Sequence, residues 1–228
     1  MKVYMRNIYL TALLIVNCFC AFSQSKIPGD SIIKYFHQGA FDLDNKARNC
    51  ASISTIKASI AFFGVSSVFK KVDTLTNKYV ITLRNNKVLE LTKKEETLVN
   101  KYDHFGYTNK RIHKVAEFMY AVMAKNYLIR LNYEGGEIKD VLDHRRGLLW
   151  LSQDTEENFK LLGLENNYTE LDSLDGIDKM TNIVIASDYH SVYSNLGFYD
   201  EFGTKHIISD FENVFKHGVI KYAYALKN

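Results

Sequence analysis

Residues 48–64 read RNCASISTIKASIAFFG, and this stretch predicts a helix that begins at a cysteine. Asn49 is a favoured residue for the position before a helix, and Gly64 is typical of the position that ends one. Apolar side chains recur between them at helical spacing, at Ile53, Ile56, Ile60 and Phe63. The sequence therefore predicts a helix over 50–63 with Cys50 in its first turn.

The N-terminal segment has the composition of a secretory signal peptide. Two basic residues precede the apolar run IYLTALLIVNCFC, which is short for a membrane-spanning helix. The small residues that a signal peptidase reads follow at 21–23, and we expect cleavage after Ser23. We predict that residues 1–23 are the signal peptide of an exported protein, periplasmic or secreted, with a single domain over 24–228 and no stable membrane span after cleavage. The alternative is a membrane anchor that is not cleaved.

The composition indicates a folded domain and argues against a nucleic-acid partner. Of the 228 residues, 46% are hydrophobic and 24% are charged, which suffices for one well-packed core. Removal of residues 1–23 takes away two of the 29 basic residues and none of the 26 acidic ones, so the predicted mature chain has a net charge of +1. A near-neutral chain lacks the basic surface that nucleic-acid binding requires.

Cleavage would also leave a single cysteine. Cys18 and Cys20 lie in the predicted signal peptide, so Cys50 would have no partner for an intramolecular disulfide. In an oxidising compartment such a cysteine is expected to be buried, to pair with another chain, or to work as a thiol. The first turn of a helix favours the last role, because its N–H groups and the helix dipole stabilise a thiolate.

The rest of the chain changes from helices to strands. A hairpin over 78–92 is predicted to turn at Asn85-Asn86, and helices are predicted at 31–40, 93–101, 109–127, 137–143 and 154–162. From residue 181 onward, short apolar and alternating segments predict an antiparallel sheet, interrupted by a helix near 209–216. The fold class that we predict is α+β, with a helical N-terminal part that carries the nucleophile helix and a C-terminal antiparallel β-sheet.

Two residues of this predicted sheet are candidates to work with Cys50. His190, in ASDYHSVY, begins a predicted strand, and Asp200, in FYDEFGT, ends the next one. A hairpin of this length is expected to return Asp200 beside His190, where a carboxylate would orient the imidazole and stabilise its charged form. Taken singly, His190 has a simpler explanation as a partly buried histidine and Asp200 as a turn residue. The functional hypothesis therefore rests on the three residues together.

The order of cysteine, histidine and acid resembles that of papain-like cysteine peptidases, and among them the calpain-type catalytic core is the most similar. Three segments carry the resemblance: NCASISTIKASI, AEFMYAVMAKNYLIRLNYEGG and HSVYSNLGFYDEFGT. They resemble the family's nucleophile segment, its helix with a tyrosine-rich end and a double glycine, and its histidine strand with the strand of the third catalytic residue. The resemblance implies a papain-like fold in which Cys50 is the nucleophile, His190 the general base and acid, and Asp200 the orienting residue.

The sequence departs from the family pattern on the oxyanion side. The resemblance leads us to expect a glutamine six residues before the cysteine, where Asp44 stands. The tetrahedral intermediate of acyl transfer needs hydrogen-bond donors, and loss of one donor typically lowers the rate by about 10²–10³. Asn45, Asn49 or Gln38 could supply the donor, and nothing in the sequence selects among them.

These observations predict an exported thiol hydrolase, most simply a cysteine peptidase, that cleaves peptide or amide bonds through an acyl-enzyme on Cys50 with His190 as the base. Transamidation uses the same chemistry and stays open. The alternative is a catalytically inactive papain-like domain that binds a peptide or a protein at the cell envelope, with Cys50 as a small buried residue. The expected partner is a peptide or protein substrate, and neither a metal nor a cofactor is predicted.

Overall fold

The computed structural model describes residues 27–38, 49–102, 105–131, 136–138, 154–188, 190–211 and 219–228. These residues form a mixed α+β fold with five α-helices and antiparallel sheets, so the predicted α+β class is confirmed. Among the residues described, none of the helices combines the length and the apolar character that crossing a bilayer requires.

The helices largely follow the predictions. They are α1 (Gly29–Tyr35), α2 (Cys50–Phe63), α3 (Lys93–Val99), α4 (Lys110–Arg130) and α5 (Thr155–Leu161). The last four confirm the helices predicted at 50–63, 93–101, 109–127 and 154–162. The helix predicted over 31–40 is wrong over 36–38, because Phe36 is extended, with φ −153° and ψ 156°, and begins a strand. The helices predicted over 137–143 and near 209–216 lie mostly outside the described residues.

The described strands form three antiparallel sheets. The first pairs β1 (Phe36–Gln38) with β5 (Phe105–Tyr107), and the second contains β2 (Lys71–Thr74), β3 (Lys78–Thr82) and β4 (Val88–Thr92). The third contains β6 (Tyr168–Glu170), β7 (Ile183–Ala186), β8 (Ser191–Asn195), β9 (Phe198–Glu201), β10 (Thr204–Ile207) and β11 (Tyr222–Leu226), in the order β10-β9-β8-β7-β11-β6. The predicted hairpin over 78–92 is confirmed as β3–β4, and the predicted C-terminal sheet is confirmed as antiparallel.

Two tight turns fix the register of the strands that carry the candidate site. Leu196-Gly197 joins β8 to β9 and Phe202-Gly203 joins β9 to β10, and all four residues have φ between 48° and 83°. Two left-handed residues in a row form a hairpin turn whose twist matches that of the strands. Ser194 consequently pairs with Tyr199, and alternate residues along β8 and β9 face opposite sides of the sheet.

Helix α2 lies at the centre of the fold. It packs against α4, α5, β7 and β8, and its residues from Ala51 to Ala61 are all buried. The main hydrophobic core contains apolar side chains of α2 together with Val184 and Tyr193 from one face of the large sheet. A second, smaller core contains Ile185 and Val192 from the opposite face. The large sheet is therefore buried on both faces at its strands β7 and β8.

A buried ion pair ties α2 to β9. The Lys57 side chain has no exposed surface, and its Nζ lies 2.5 Å from Asp200 Oδ2 and 2.6 Å from the Ile33 carbonyl oxygen. Burial lowers the pKa of Lys57 and raises that of Asp200, and the attraction between the two groups offsets these effects only in part. Asp200 Oδ1 also accepts the Gly203 N–H at 2.9 Å. The pair thus connects α2 with α1 and with the β9–β10 turn.

Replacement of Lys57 by methionine should destabilise the fold by about 3–5 kcal/mol, because it leaves the Asp200 carboxylate buried without its cation. The double variant Lys57→Met/Asp200→Leu should recover most of this loss, since a well-packed apolar pair often replaces a buried ion pair at little cost. Urea unfolding followed by circular dichroism measures the free energy of unfolding of each protein. A Lys57→Met protein as stable as the wild type would contradict the assigned ion pair.

Candidate active site

Cys50 is the first residue of α2 and lies at the solvent end of a buried helix. Its side chain is partly exposed, whereas the residues that follow it, Ala51 to Ala61, are buried. Asn49 occupies the N-cap position, as predicted, but its side chain makes no capping hydrogen bond to the helix. The backbone N–H groups of Ala51 and Ser191 act on the Cys50 sulfur as donors and lower the pKa of the thiol. The thiol therefore lies at a helix N-terminus with backbone donors directed at it.

The structure brings His190 to Cys50. His190 directly precedes β8, one residue before the strand begins, and its imidazole lines the same pocket as the Cys50 thiol, where each group shifts the pKa of the other. Three hydrogen bonds join Ser187 and His190: the Ser187 N–H donates to the His190 carbonyl oxygen at 2.8 Å, the Ser187 hydroxyl donates to the same oxygen at 3.4 Å, and the His190 N–H donates to the Ser187 hydroxyl oxygen at 3.2 Å. These bonds fix the backbone of His190, from which the imidazole reaches the thiol.

The carboxylate beside His190 belongs to Glu201. Glu201 Oε2 lies 3.2 Å from His190 Nε2, and the Glu201 side chain is only 2% exposed. Because Nε2 is directed at Glu201, the other ring nitrogen, Nδ1, is left for the Cys50 thiol. The imidazole therefore lies between a thiol on one side and a buried carboxylate on the other.

The structure corrects the predicted position of Asp200, whose carboxylate pairs with Lys57 and not with His190. The register of the hairpin gives the physical reason. Continuing the pairing of Ser194 with Tyr199 puts Glu201 on the same face of the sheet as His190, and it puts Asp200 on the opposite face. The sequence analysis missed Glu201, although the alternation of FYDEFGT combined with a two-residue turn at 196–197 would have found it.

The charges around His190 favour an ion pair with the thiol. Burial lowers the pKa of His190, but hydrogen bonds and charges from Cys50 and Glu201 outweigh burial and raise this pKa to about 10. Burial raises the pKa of Cys50, but the hydrogen bond and charge of His190, together with the two backbone N–H groups, outweigh it and hold the pKa below its ordinary value. Between these two pKa values, the thiolate–imidazolium pair is the favoured state.

The thiol and the imidazole open onto a small pocket. Its empty volume is about 240 Å³, part of it open to solvent, and its walls include Cys50, Ser54, His190, Tyr193 and Phe202. The Phe202 ring is 40% exposed and lies nearly parallel to the imidazole, with the ring centres 6.3 Å apart. A carbonyl group that enters this pocket would meet the sulfur nucleophile next to an imidazolium able to donate a proton.

Of the three candidate oxyanion donors, the structure describes the side chain of Asn49 alone. Asn49 is buried and directly precedes Cys50. Gln38 ends β1, but its side chain lies outside the described residues, and Asn45 and Asp44 lie outside them altogether. The Ala51 N–H at the sulfur belongs to the first turn of α2, whose N–H groups were expected to stabilise a thiolate, whereas the Ser191 N–H comes from β8 and was not predicted.

Comparison of the chain with protein families, with curated proteins and with solved structures found no match. The resemblance to papain-like peptidases therefore stays a prediction. The features of the molecule that bear on function are the arrangement of Cys50, His190 and Glu201 and the pocket onto which the thiol opens.

We expect His190 to titrate near pH 10 in the native protein, far above the ordinary imidazole pKa of 6.5. Cys50→Ala and Glu201→Gln should each lower the pKa of His190 by at least about 1 pH unit, because each removes an anion beside the ring. NMR titration of ¹³C-labelled histidine measures this pKa. Glu95→Gln is the matched control, since it breaks an ion pair with Lys125 elsewhere in the fold. A wild-type value near 6.5 would contradict the assigned contacts.

These two pKa changes also set the pH dependence of stability. Because the pKa of His190 is raised in the native state, His190 stabilises the fold. This stabilisation is fully present below pH 6.5 and is lost as the pH rises through about 10. Because the pKa of Cys50 is lowered, Cys50 also stabilises the native state. This stabilisation is fully present above pH 9.0 and is lost as the pH falls. From pH 6.5 to 9.0, Cys50 and His190 together bind one proton in the native state and one in the unfolded state. The free energy of unfolding should therefore change little within this range and decrease on either side of it. Thermal unfolding of wild type and Cys50→Ala isolates this contribution.

Proposed function

We propose that this chain is an exported thiol hydrolase, a cysteine peptidase of the papain-like type. The observation that supports the proposal is the contact of Cys50, at the start of a helix, with His190, whose other ring nitrogen meets Glu201. A nucleophile, a base and an orienting carboxylate connected in this order form an arrangement that activates a side chain for acyl transfer. The order of the residues along the chain agrees with the papain-like resemblance, with Glu201 in the third position.

In the proposed reaction, the Cys50 thiolate attacks the carbonyl carbon of a peptide or amide bond, and the carbonyl π electrons move onto oxygen. The tetrahedral intermediate collapses to a thioester as the C–N bond breaks and the His190 imidazolium gives its proton to the leaving amine. Water then attacks the thioester, losing a proton to His190, and the sulfur leaves as a thiolate. An amine in place of water would give transamidation by the same steps.

Glu201 takes the role that the sequence analysis gave to Asp200. Its carboxylate, 3.2 Å from Nε2, would hold the imidazole in the orientation that directs Nδ1 at the sulfur and would stabilise the imidazolium charge. The backbone N–H groups of Ala51 and Ser191 bond to the sulfur in the resting state, which favours the thiolate as the resting form of the nucleophile.

If Cys50 is an activated nucleophile, its reaction with iodoacetamide should reach a plateau below neutral pH. An unperturbed thiol has a pKa of about 8.5, whereas a thiol paired with histidine reaches about 3–4. His190→Ala should move the midpoint toward the ordinary value and lower the rate at pH 6 by more than ~10-fold. Mass spectrometry of the peptide that contains Cys50 measures the rates.

The same proteins should then be incubated with a mixture of synthetic peptides. Cleavage by the wild type, and none by Cys50→Ala, would support a peptidase, and cleavage joined to transfer onto an added amine would support transamidation. A thiol with an ordinary midpoint, or one that does not react in the native state, would contradict the catalytic proposal. Cys50 would then be structural, and the inactive, peptide-binding alternative would be favoured.

Export is proposed from the composition of residues 1–23. Expressed in a host that processes signal peptides, the protein should leave the cytoplasm and begin at Gln24. N-terminal sequencing and the intact mass measure the cleavage site, and Ser23→Arg should block processing at this position because signal peptidases require a small residue there. A wild-type chain that keeps Met1 and sediments with the membranes would indicate an uncleaved anchor.

A further inference from the structure

Three buried hydroxyl groups form a chain between α2, β8 and α5, next to the candidate active site. Ser54 lies one turn after Cys50, Ser191 directly follows His190, and Thr155 begins α5. The Ser54 and Ser191 hydroxyl oxygens are 2.9 Å apart, and the Thr155 hydroxyl donates to the Ser191 oxygen at 3.2 Å. Each of the three residues is at most 7% exposed, so the hydroxyls are bonded to one another in a buried part of the fold.

The protons of this chain have one consistent direction. Each hydroxyl has a single proton, and Thr155 donates its proton to Ser191. The Ser54 proton goes to the Ala51 carbonyl oxygen at 3.0 Å, so the proton between Ser54 and Ser191 must come from Ser191. The chain therefore runs from Thr155 through Ser191 and Ser54 to the first turn of α2. Hydrogen bonds aligned in this way strengthen one another in a low-dielectric interior.

This chain lies beside the contact between the thiol and the imidazole. The Ser191 hydroxyl reaches Ser54 on α2 at 2.9 Å, and the Ser191 N–H acts on the Cys50 sulfur of the same helix and lowers the pKa of the thiol. The Ser54–Ser191 bond thus links the first residue of β8 to α2, and His190 is the residue next to it. Since Cys50 and His190 lie on different elements, their contact requires that the start of β8 stays against α2.

We propose that Ser54 and Ser191 are positioning residues of the candidate site: their hydroxyl chain holds the start of β8 against the first turns of α2 and keeps the His190 imidazole within hydrogen-bonding reach of the Cys50 thiol. The inference rests on the proposed function and adds two residues to its machinery. Their side chains act on the reaction through the position of Cys50 and His190.

Helix α2 offers a matched control in Ser59. Ser59 is fully buried, as Ser54 is, but its hydroxyl donates to the Thr55 carbonyl oxygen at 2.7 Å, within the helix. Ser54→Ala and Ser59→Ala therefore remove the same atom from the same helix. Of the two substitutions, only Ser54→Ala removes a hydrogen bond to β8.

The experiment measures the pH profile of Cys50 alkylation and the titration of His190 in the full chain, for the wild type and for the three serine-to-alanine variants. Ser54→Ala and Ser191→Ala should raise the alkylation midpoint by about 1 pH unit, which lowers the rate about 10-fold at pH values below the midpoint. Both variants should also lower the pKa of His190, whereas Ser59→Ala should leave both properties as in the wild type. The double variant Ser54→Ala/Ser191→Ala should show a less than additive effect, because both changes cut one chain.

The outcomes separate this inference from the proposed function. If Ser54→Ala behaves like Ser59→Ala while the wild type keeps its lowered midpoint, the positioning role is overturned and the proposed function stands. If the wild-type midpoint is that of an ordinary thiol, both are overturned, because there is then no ion pair to position. Thermal unfolding is recorded for every variant. If Ser54→Ala and Ser191→Ala lower the stability but leave the titrations of Cys50 and His190 unchanged, the two serines have a purely structural role, and the inference is also overturned.

Discussion

The burial of α2 is the constraint on which the rest of the structure depends. A helix buried from Ala51 to Ala61 needs partners for its polar side chains, because an unpaired buried polar group costs about 1–3 kcal/mol. The partners come from four elements: Ser52 bonds to Asn158 of α5, Ser54 to Ser191 of β8, and Lys57 to Asp200 of β9 and to the Ile33 carbonyl oxygen of α1. These bonds arrange α5 and the large sheet around the end of α2 at which Cys50 is partly exposed.

Two neighbouring acids on β9 have different partners because residues of a strand alternate between its faces. Asp200 meets Lys57, and Glu201, directed to the opposite face, meets His190. Burial is the main reason that the pKa of Asp200 is raised, and the negative charge of Glu201 adds to it. Lys57 opposes both effects on the pKa of Asp200, and its positive charge balances the Asp200 carboxylate within the fold. The carboxylate next to the His190 imidazole is that of Glu201.

The sequence predicts local elements well and the pairing between elements less well. Helix α2 and the β3–β4 hairpin were predicted correctly, because spacing, caps and turn residues within one stretch determine them. The end of α1 was missed because the chain continues as β1, whose partner is the distant strand β5. The choice of Glu201 over Asp200 depends on the register set at Leu196-Gly197. A leucine stands there in a left-handed conformation that usually belongs to asparagine or glycine, so the turn was hard to recognise.

The position of His190 between two anions has a consequence for the proposed reaction. In the resting state the Cys50 thiolate and the Glu201 carboxylate both stabilise the imidazolium, and together they outweigh burial and raise its pKa to about 10. Once the sulfur is bonded to the carbonyl carbon in the tetrahedral intermediate, the thiolate charge is gone and the Glu201 carboxylate remains beside the ring, so the pKa of His190 falls. The proton is thus held before the attack and released to the leaving amine after it. The imidazole that has given its proton to the amine is neutral, which is the form needed to take a proton from water.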